Sequence, residues 1–152
     1  MSNSAKRTLI ITPLNDQLKP FYTTITNKNL KDCIISHCFG TLISQPYSNT
    51  LREIMKMILS QPIDAIYVIG EVEQPLTINI EKSLGKMGIT EEDFQILHIQ
   101  PKQWIEWLNR PIDVEGVVQE NVQMLKEHPL IPGSINIYGC TVDTRTGEYQ
   151  FI

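Results

Sequence analysis

The chain has 152 residues, 41% hydrophobic and 20% charged, which suits one soluble domain with a substantial core and excludes a disordered chain. A net charge of −4, with 13 Lys and Arg scattered and never in a run, argues against a phosphate-binding surface, so nucleic acid is not an expected partner. No stretch approaches the roughly 20 apolar residues that a membrane helix requires, so no membrane insertion is expected.

Met1–Arg7 is short and polar and is expected to be flexible. The apolar run after it is too short for a signal-peptide core and is broken by Pro13, so the default compartment is the cytoplasm. Thr8–Thr12 (TLIIT) is β-branched and reads as a buried strand. A second strand is expected at Cys33–Ser36, closed by Gly40. Thr50 and Glu53 have capping-box spacing, and Leu51, Ile54, Met55, Ile58 and Leu59 follow at helical intervals, so a helix should start there and pack on the sheet. Ala65–Ile69 (AIYVI), stopped by Gly70, is the clearest buried strand.

Leu76–Met87 reads as a helix ended by Gly88, although Thr77, Ile78 and Ile80 weaken it. Thr90 and Asp93 begin a short turn, and Phe94–Ile99 reads as a fourth strand ended by Pro101. Trp104, Ile105, Trp107 and Leu108 fit a brief helix that Pro111 terminates, with at least one Trp in a core. Asp113 can cap a last helix with an apolar stripe of Val114, Val117, Val118, Val122 and Leu125. Ile135 and Ile137, a turn at residues 143–147, then Tyr149 and Phe151 read as a hairpin. These elements make a single α/β domain over residues 1–152. Ligands of open α/β sheets sit beyond the carboxyl ends of strands, which directs attention to residues 13–17, 37–41 and 70–74.

The run from Asn121 to Tyr149, NVQMLKEHPLIPGSINIYGCTVDTRTGEY, resembles the close of β-class carbonic anhydrases. There a V…L helix leads to a P-L-I-P turn, an I-x-V-x-G strand and a D-x-x-T-G hairpin. Leu125, Pro129, Leu130, Ile131, Pro132, Ile135, Gly139, Asp143, Thr146 and Gly147 match in order and spacing. Leu84–Asp93 is similar to the family's helix and turn before its fourth strand. The resemblance covers residues 7–151 and implies a four-stranded parallel sheet plus a C-terminal antiparallel strand or hairpin, with helices on both faces.

It also implies where catalytic groups would stand. The family's C-x-D-x-R corresponds to Pro13, Asn15 and Gln17, and its G-H-x-x-C to Gly70-Glu71-Val72-Glu73-Gln74. Its G-D-x-x-V-I-R-N-A-G-N is similar to Lys31–Thr41, with His37 and Cys38 in place of Arg and Asn. Family members hold zinc with two cysteines and a histidine, and the ion makes bound water ionise near neutral pH, behaviour for which carbonic anhydrases are the reference case. Proline offers no side-chain donor, and a glutamine amide is a poor substitute for thiolate. The family zinc site is therefore expected to be absent, no cofactor is expected, and the protein is expected to act by binding a partner or small anion.

The alternative is a hydratase or hydrolase rebuilt around a zinc ion held by His37, Cys38, Glu71 and Glu73. Against it, adjacent residues of an extended chain point in opposite directions. A homodimer or a complex with another protein is the implied assembly, although the family's N-terminal helices are missing. The three cysteines are odd in number without CxxC spacing, so no disulfide framework is expected, and Cys33 and Cys140 read as core thiols. His98 reads as a packed histidine and His128 as part of a helix-ending turn; Ser48 and Ser60 lack any His–Asp pattern around them.

Overall fold

The computed structural model describes residues 5–39, 48–74 and 76–152. Expectations that fall on residues 1–4, Gly40 and Thr41 lie outside the described residues. The chain divides into two compact units, one of Met1–Val72 with Asp113–Ile152, the other of Glu73–Ile112.

The first unit is built on a five-stranded sheet. Its strands are β1 (Arg7–Ile11), β2 (Cys33–Ser36), β3 (Ile63–Glu71), β4 (Asn136–Asp143) and β5 (Glu148–Phe151), in the spatial order β2-β1-β3-β4-β5. The first four are parallel and β5 returns antiparallel to β4. The implied architecture of four parallel strands and one antiparallel strand is thus present. The fourth parallel strand is the first arm of the C-terminal hairpin.

Alternation along β1 shows how both faces are buried. Leu9 and Ile11 join one core with Ile66, Val68 and Ile137, closed by Leu51 and Ile54 of α2 (Asn49–Ser60) and Val114, Val118 and Leu125 of α6 (Val114–Glu127). Ile10 joins a second core with Cys33, Ile69, Cys140 and Val142, closed by Leu18 and by Tyr22 and Ile25 of α1 (Lys19–Thr26). A mostly parallel sheet needs such cover on both sides.

Several local expectations are corrected. The cap of α2 is Ser48, whose hydroxyl accepts the Leu51 N–H at 3.2 Å, while Thr50 lies buried inside the helix. Helix α1 escaped the sequence reading because its three threonines argue against a helix; Pro20 in its first turn and left-handed Asn27 at its end delimit it. Gly70 does not stop β3, which runs on to Glu71. Gly70 is instead the place where α6 comes closest to the sheet. A Cβ there would lie 2.5 Å from Val114 Cγ1 and 2.8 Å from Val118 Cγ2, and one at Gly139 on β4 would lie 2.8 Å from Val118 Cγ1. Asp113 caps α6 as expected, accepting the Gly116 N–H at 3.1 Å.

The second unit holds three short helices, α3 (Ile80–Lys86), α4 (Glu91–Ile96) and α5 (Pro101–Asn109). The strand expected at Phe94–Ile99 is absent; most of that run is helix and a following turn. Local chemistry decided it. Thr90 and Asp93 form a complete capping box, and Glu91, Glu92 and Asp93 place three acids at the positive end of the helix. His98, expected near the end of that strand, adopts a left-handed φ of 55° beyond α4 and is exposed. Helix α3 starts only at Ile80, capped by Asn79, so the β-branched Thr77 and Ile78 stay outside it. Gly88 follows it with a φ of 79°. Trp104 is half-buried edge-on to Phe94 and Trp107 is exposed, so neither is a core tryptophan.

The close approach of α6 yields a comparison. Gly70→Ala should destabilise the protein by about 1–3 kcal/mol, because stiff valine methyls must give way. Gly85→Ala, in α3 with nothing within 4 Å of the added carbon, should stabilise by about 0.5–1 kcal/mol. Urea denaturation of the two variants measures both.

Candidate functional site

The carboxyl ends of β1 and β3 lie side by side, and their following residues meet there. Asn15 sits four residues past the last residue of β1, held in an extended conformation at the head of a 3-10 turn because its Oδ1 accepts the Gln17 N–H at 3.0 Å. That turn aims the other end of the amide across to β3. Asn15 Nδ2 donates to both carboxylate oxygens of Glu71, each at 2.8 Å. Thr144, in the turn between β4 and β5, donates its hydroxyl to Glu71 Oε1 at 2.9 Å. One half-buried carboxylate thus ties together the loop after β1, the end of β3 and the β4–β5 turn.

A second polar pair lies next to it. Tyr22 of α1 donates its hydroxyl to Thr12 at 3.2 Å in a buried setting. Burial pushes the Tyr22 phenol above its ordinary pKa; the bond to Thr12 opposes this, and the charges of Glu71 and Asp16 add to it. The group stays protonated and serves as a donor.

The remaining candidates are distributed differently. His37 is exposed, and its Nδ1 lies 3.1 Å from the Pro13 carbonyl, which can only accept, so Nδ1 carries the proton. Cys38 turns the other way, toward the first core, with its sulfur 3.0 Å from the Ser36 hydroxyl. Glu73 belongs to the second unit, where its carboxylate accepts the Ile112 N–H at 3.2 Å. Gln74 is exposed and Gln17 contributes its backbone N–H to Asn15. Among the described residues, no three His, Cys, Asp or Glu side chains gather in a group that could hold a metal ion. His128 caps its own turn, its Nδ1 accepting the Leu130 N–H at 3.1 Å.

No family model matches the chain. It is 22% identical over 160 residues to YbcF of Bacillus subtilis, covering 96% of this chain and 86% of YbcF, and 24% identical over 151 residues to YtiB of the same organism, covering 97% and 81%. Their names place them provisionally, the first as carbonic anhydrase-like and the second as a carbonic anhydrase. The crystal structure of β-carbonic anhydrase isoform I from Trichomonas vaginalis superposes with a TM-score of 0.61 at 21% identity, over 100% of this chain and 86% of that one. The chain shares its fold with the β-class carbonic anhydrases and is similar in sequence, at 22–24% identity, to these two Bacillus subtilis proteins.

Do the residues at the implied zinc positions of this chain fit the ion? Pro13 has no donor atom in its side chain, and Gln74 offers only an amide. Glu71 alone carries a suitable anionic group, and its two oxygens are already taken by Asn15 and Thr144. A borderline-soft ion that favours thiolate and imidazole does not fit this set. The sequence reading identified Asn15 and Glu71 but missed Thr144, which lies 73 residues beyond Glu71; the D-x-x-T-G turn that carries it was the available signal.

Thiol reactivity checks the arrangement. Cys33 is buried, and burial raises its pKa. Cys140 is fully enclosed, and burial pushes its thiol up to about 11. Cys38 is the partly exposed one. In the native protein at neutral pH, a disulfide reagent should therefore modify one thiol quickly, at Cys38, and all three only after unfolding. Rapid labelling of Cys140 in native protein would contradict this burial.

Proposed function

We propose that this protein is a catalytically silent relative of the β-carbonic anhydrases that acts by binding, with another protein as its partner. The observation that carries the reading is the state of Glu71. Where the family places a zinc-binding histidine, this chain has a carboxylate that is hydrogen-bonded through both oxygens by its own neighbours, Asn15 and Thr144. A group used in this way holds the fold rather than a Lewis acid. The Asp–Arg pair of the family corresponds to Asn15 and Gln17, neither of which can be charged, so no charge is available to orient an attacking oxygen.

Between a small anion and a protein, the protein fits better. The negative charge of Glu71 at the carboxyl end of the sheet repels bicarbonate and similar anions. What the chain preserves is the packing of the scaffold: the paired glycines beneath α6, the two cores and the C-terminal hairpin. No helix among the described residues is long and apolar enough to cross a membrane.

Carbon dioxide hydration followed by stopped-flow, on protein purified without chelators, tests the proposal. The expected rate is that of buffer alone, with zinc far below one ion per chain by elemental analysis. Stoichiometric zinc with catalysed hydration would overturn it, and would point to a site rebuilt around His37, Cys38, Glu71 and Glu73.

A further inference from the structure

Helix α2 closes the first core with one face and leaves a second face open. On that second face Leu51, Met55 and Leu59 recur every four residues, and the turn after α6 runs alongside with Pro129 and Leu130. Together they bound an open groove of about 760 Å³. Leu51 is buried, whereas Leu59 is 79% and Leu130 68% exposed. From Ser48 to Leu59 the groove follows α2 for roughly 16 Å at 1.5 Å per residue, about three turns of helix.

The charges along it have one sign. Arg52 and Lys56 line the groove, and among the described residues no Asp or Glu does, in a chain whose net charge is −4. Glu53, the one acid of α2, stands outside the lining. Neither cation has an ion-pair partner among the described residues. Their placement works against the helix itself. Like charges four residues apart on a helix repel. Arg52 also stands in the first turn, where the helix dipole favours an anion, and α2 has no acid there. A carboxylate set beside the pair offsets both effects. His128, which also lines the groove, adds a donor: its Nδ1 accepts the Leu130 N–H, which leaves the ring proton on Nε2.

We infer that this groove docks an acidic amphipathic helix of another protein, with apolar side chains seated between Leu59 and Leu130 and carboxylates beside Arg52 and Lys56. The inference deepens the protein-partner reading given above and rests on it. The mode is that of a helix laid in an apolar groove and anchored by residues at i, i+4 and i+7. The single sign of the rim selects among such helices, because a basic one would set cation against cation. Every lining residue belongs to the first unit, and none takes part in the junction at Glu71.

Fluorescence anisotropy tests this with a labelled synthetic helix of about four turns, carrying leucine at i, i+4 and i+7 and glutamate beside them. The full chain should bind this peptide saturably, and a peptide with lysine for each glutamate about tenfold or more weakly. Arg52→Glu/Lys56→Glu should reverse that order. Lys82→Glu/Lys86→Glu, the same change of charge on α3, should leave it unaltered. Leu59→Ser/Leu130→Ser, at two exposed positions, should weaken the acidic peptide about tenfold. Far-UV circular dichroism and thermal melts establish that the variants fold. No saturable binding of the acidic peptide, equal affinity for both peptides, or an order that the α2 pair does not reverse would overturn the groove. Binding that is lost as the chain concentration rises would place a second copy there and would overturn it equally. Carbon dioxide hydration and zinc content of the same preparations decide the silent reading separately. Catalysis with a peptide-binding groove would sink that reading alone, and silence with a groove that binds nothing would sink only the groove.

Discussion

The carboxylate of Glu71 is where three stretches of chain distant in sequence are held together. Asn15 brings the loop after β1, Glu71 itself ends β3, and Thr144 brings the hairpin turn. Hydrogen bonds to a charged acceptor contribute about 1.5–3 kcal/mol each when well formed, less where water competes. The ladder between β1 and β3 aligns the strands themselves; the junction adds the loop after β1 and the turn that launches β5 to the same end of the sheet.

On the proposed reading, the same junction lets the scaffold outlast its chemistry. In the β-carbonic anhydrase family the ion does two jobs at this place: it activates water, and it cross-links the ends of β1 and β3 through its ligands. On that reading, neutral and acidic oxygen and nitrogen groups take over the second job and leave the first undone. A chain with Pro13, Asn15 and Glu71 at these positions can therefore keep the architecture shared with its relatives without keeping a metal. This agrees with where the sequence is conservative in type. The residues that resemble the family most closely, from Leu125 to Gly147, form the far end of α6, β4 and the hairpin, which are packing elements.

Much of the fold was legible in the sequence because β1, β2 and β3 are short apolar, β-branched runs in a mostly parallel sheet. The bounds of β2 at Cys33–Ser36 were read without error, and β1 and β3 shifted by a residue or two. Misreadings came where two local signals competed. Phe94–Ile99 has strand-like composition, but the acid-rich capping box before it favours a helix. At α2 the cap is Ser48, two residues before Thr50, whose side chain belongs to the buried face. Gly70 looked like a stop and is a point of contact, a role visible only once α6 lies across it. The site was half legible: family spacing located Asn15 and Glu71, while their bond to each other and to Thr144 depends on tertiary closure over more than 50 residues.

A double-mutant cycle between Asn15 and Glu71 tests the junction most directly. Urea unfolding of Asn15→Ala, Glu71→Ala and the double variant gives the coupling energy between the two side chains. If the carboxylate–amide contact holds the ends of β1 and β3, the cycle should show a favourable coupling of about 1 kcal/mol or more. Strictly additive losses would mean that the two groups do not act on each other, and that the carboxylate does not hold the loop after β1 to the end of β3.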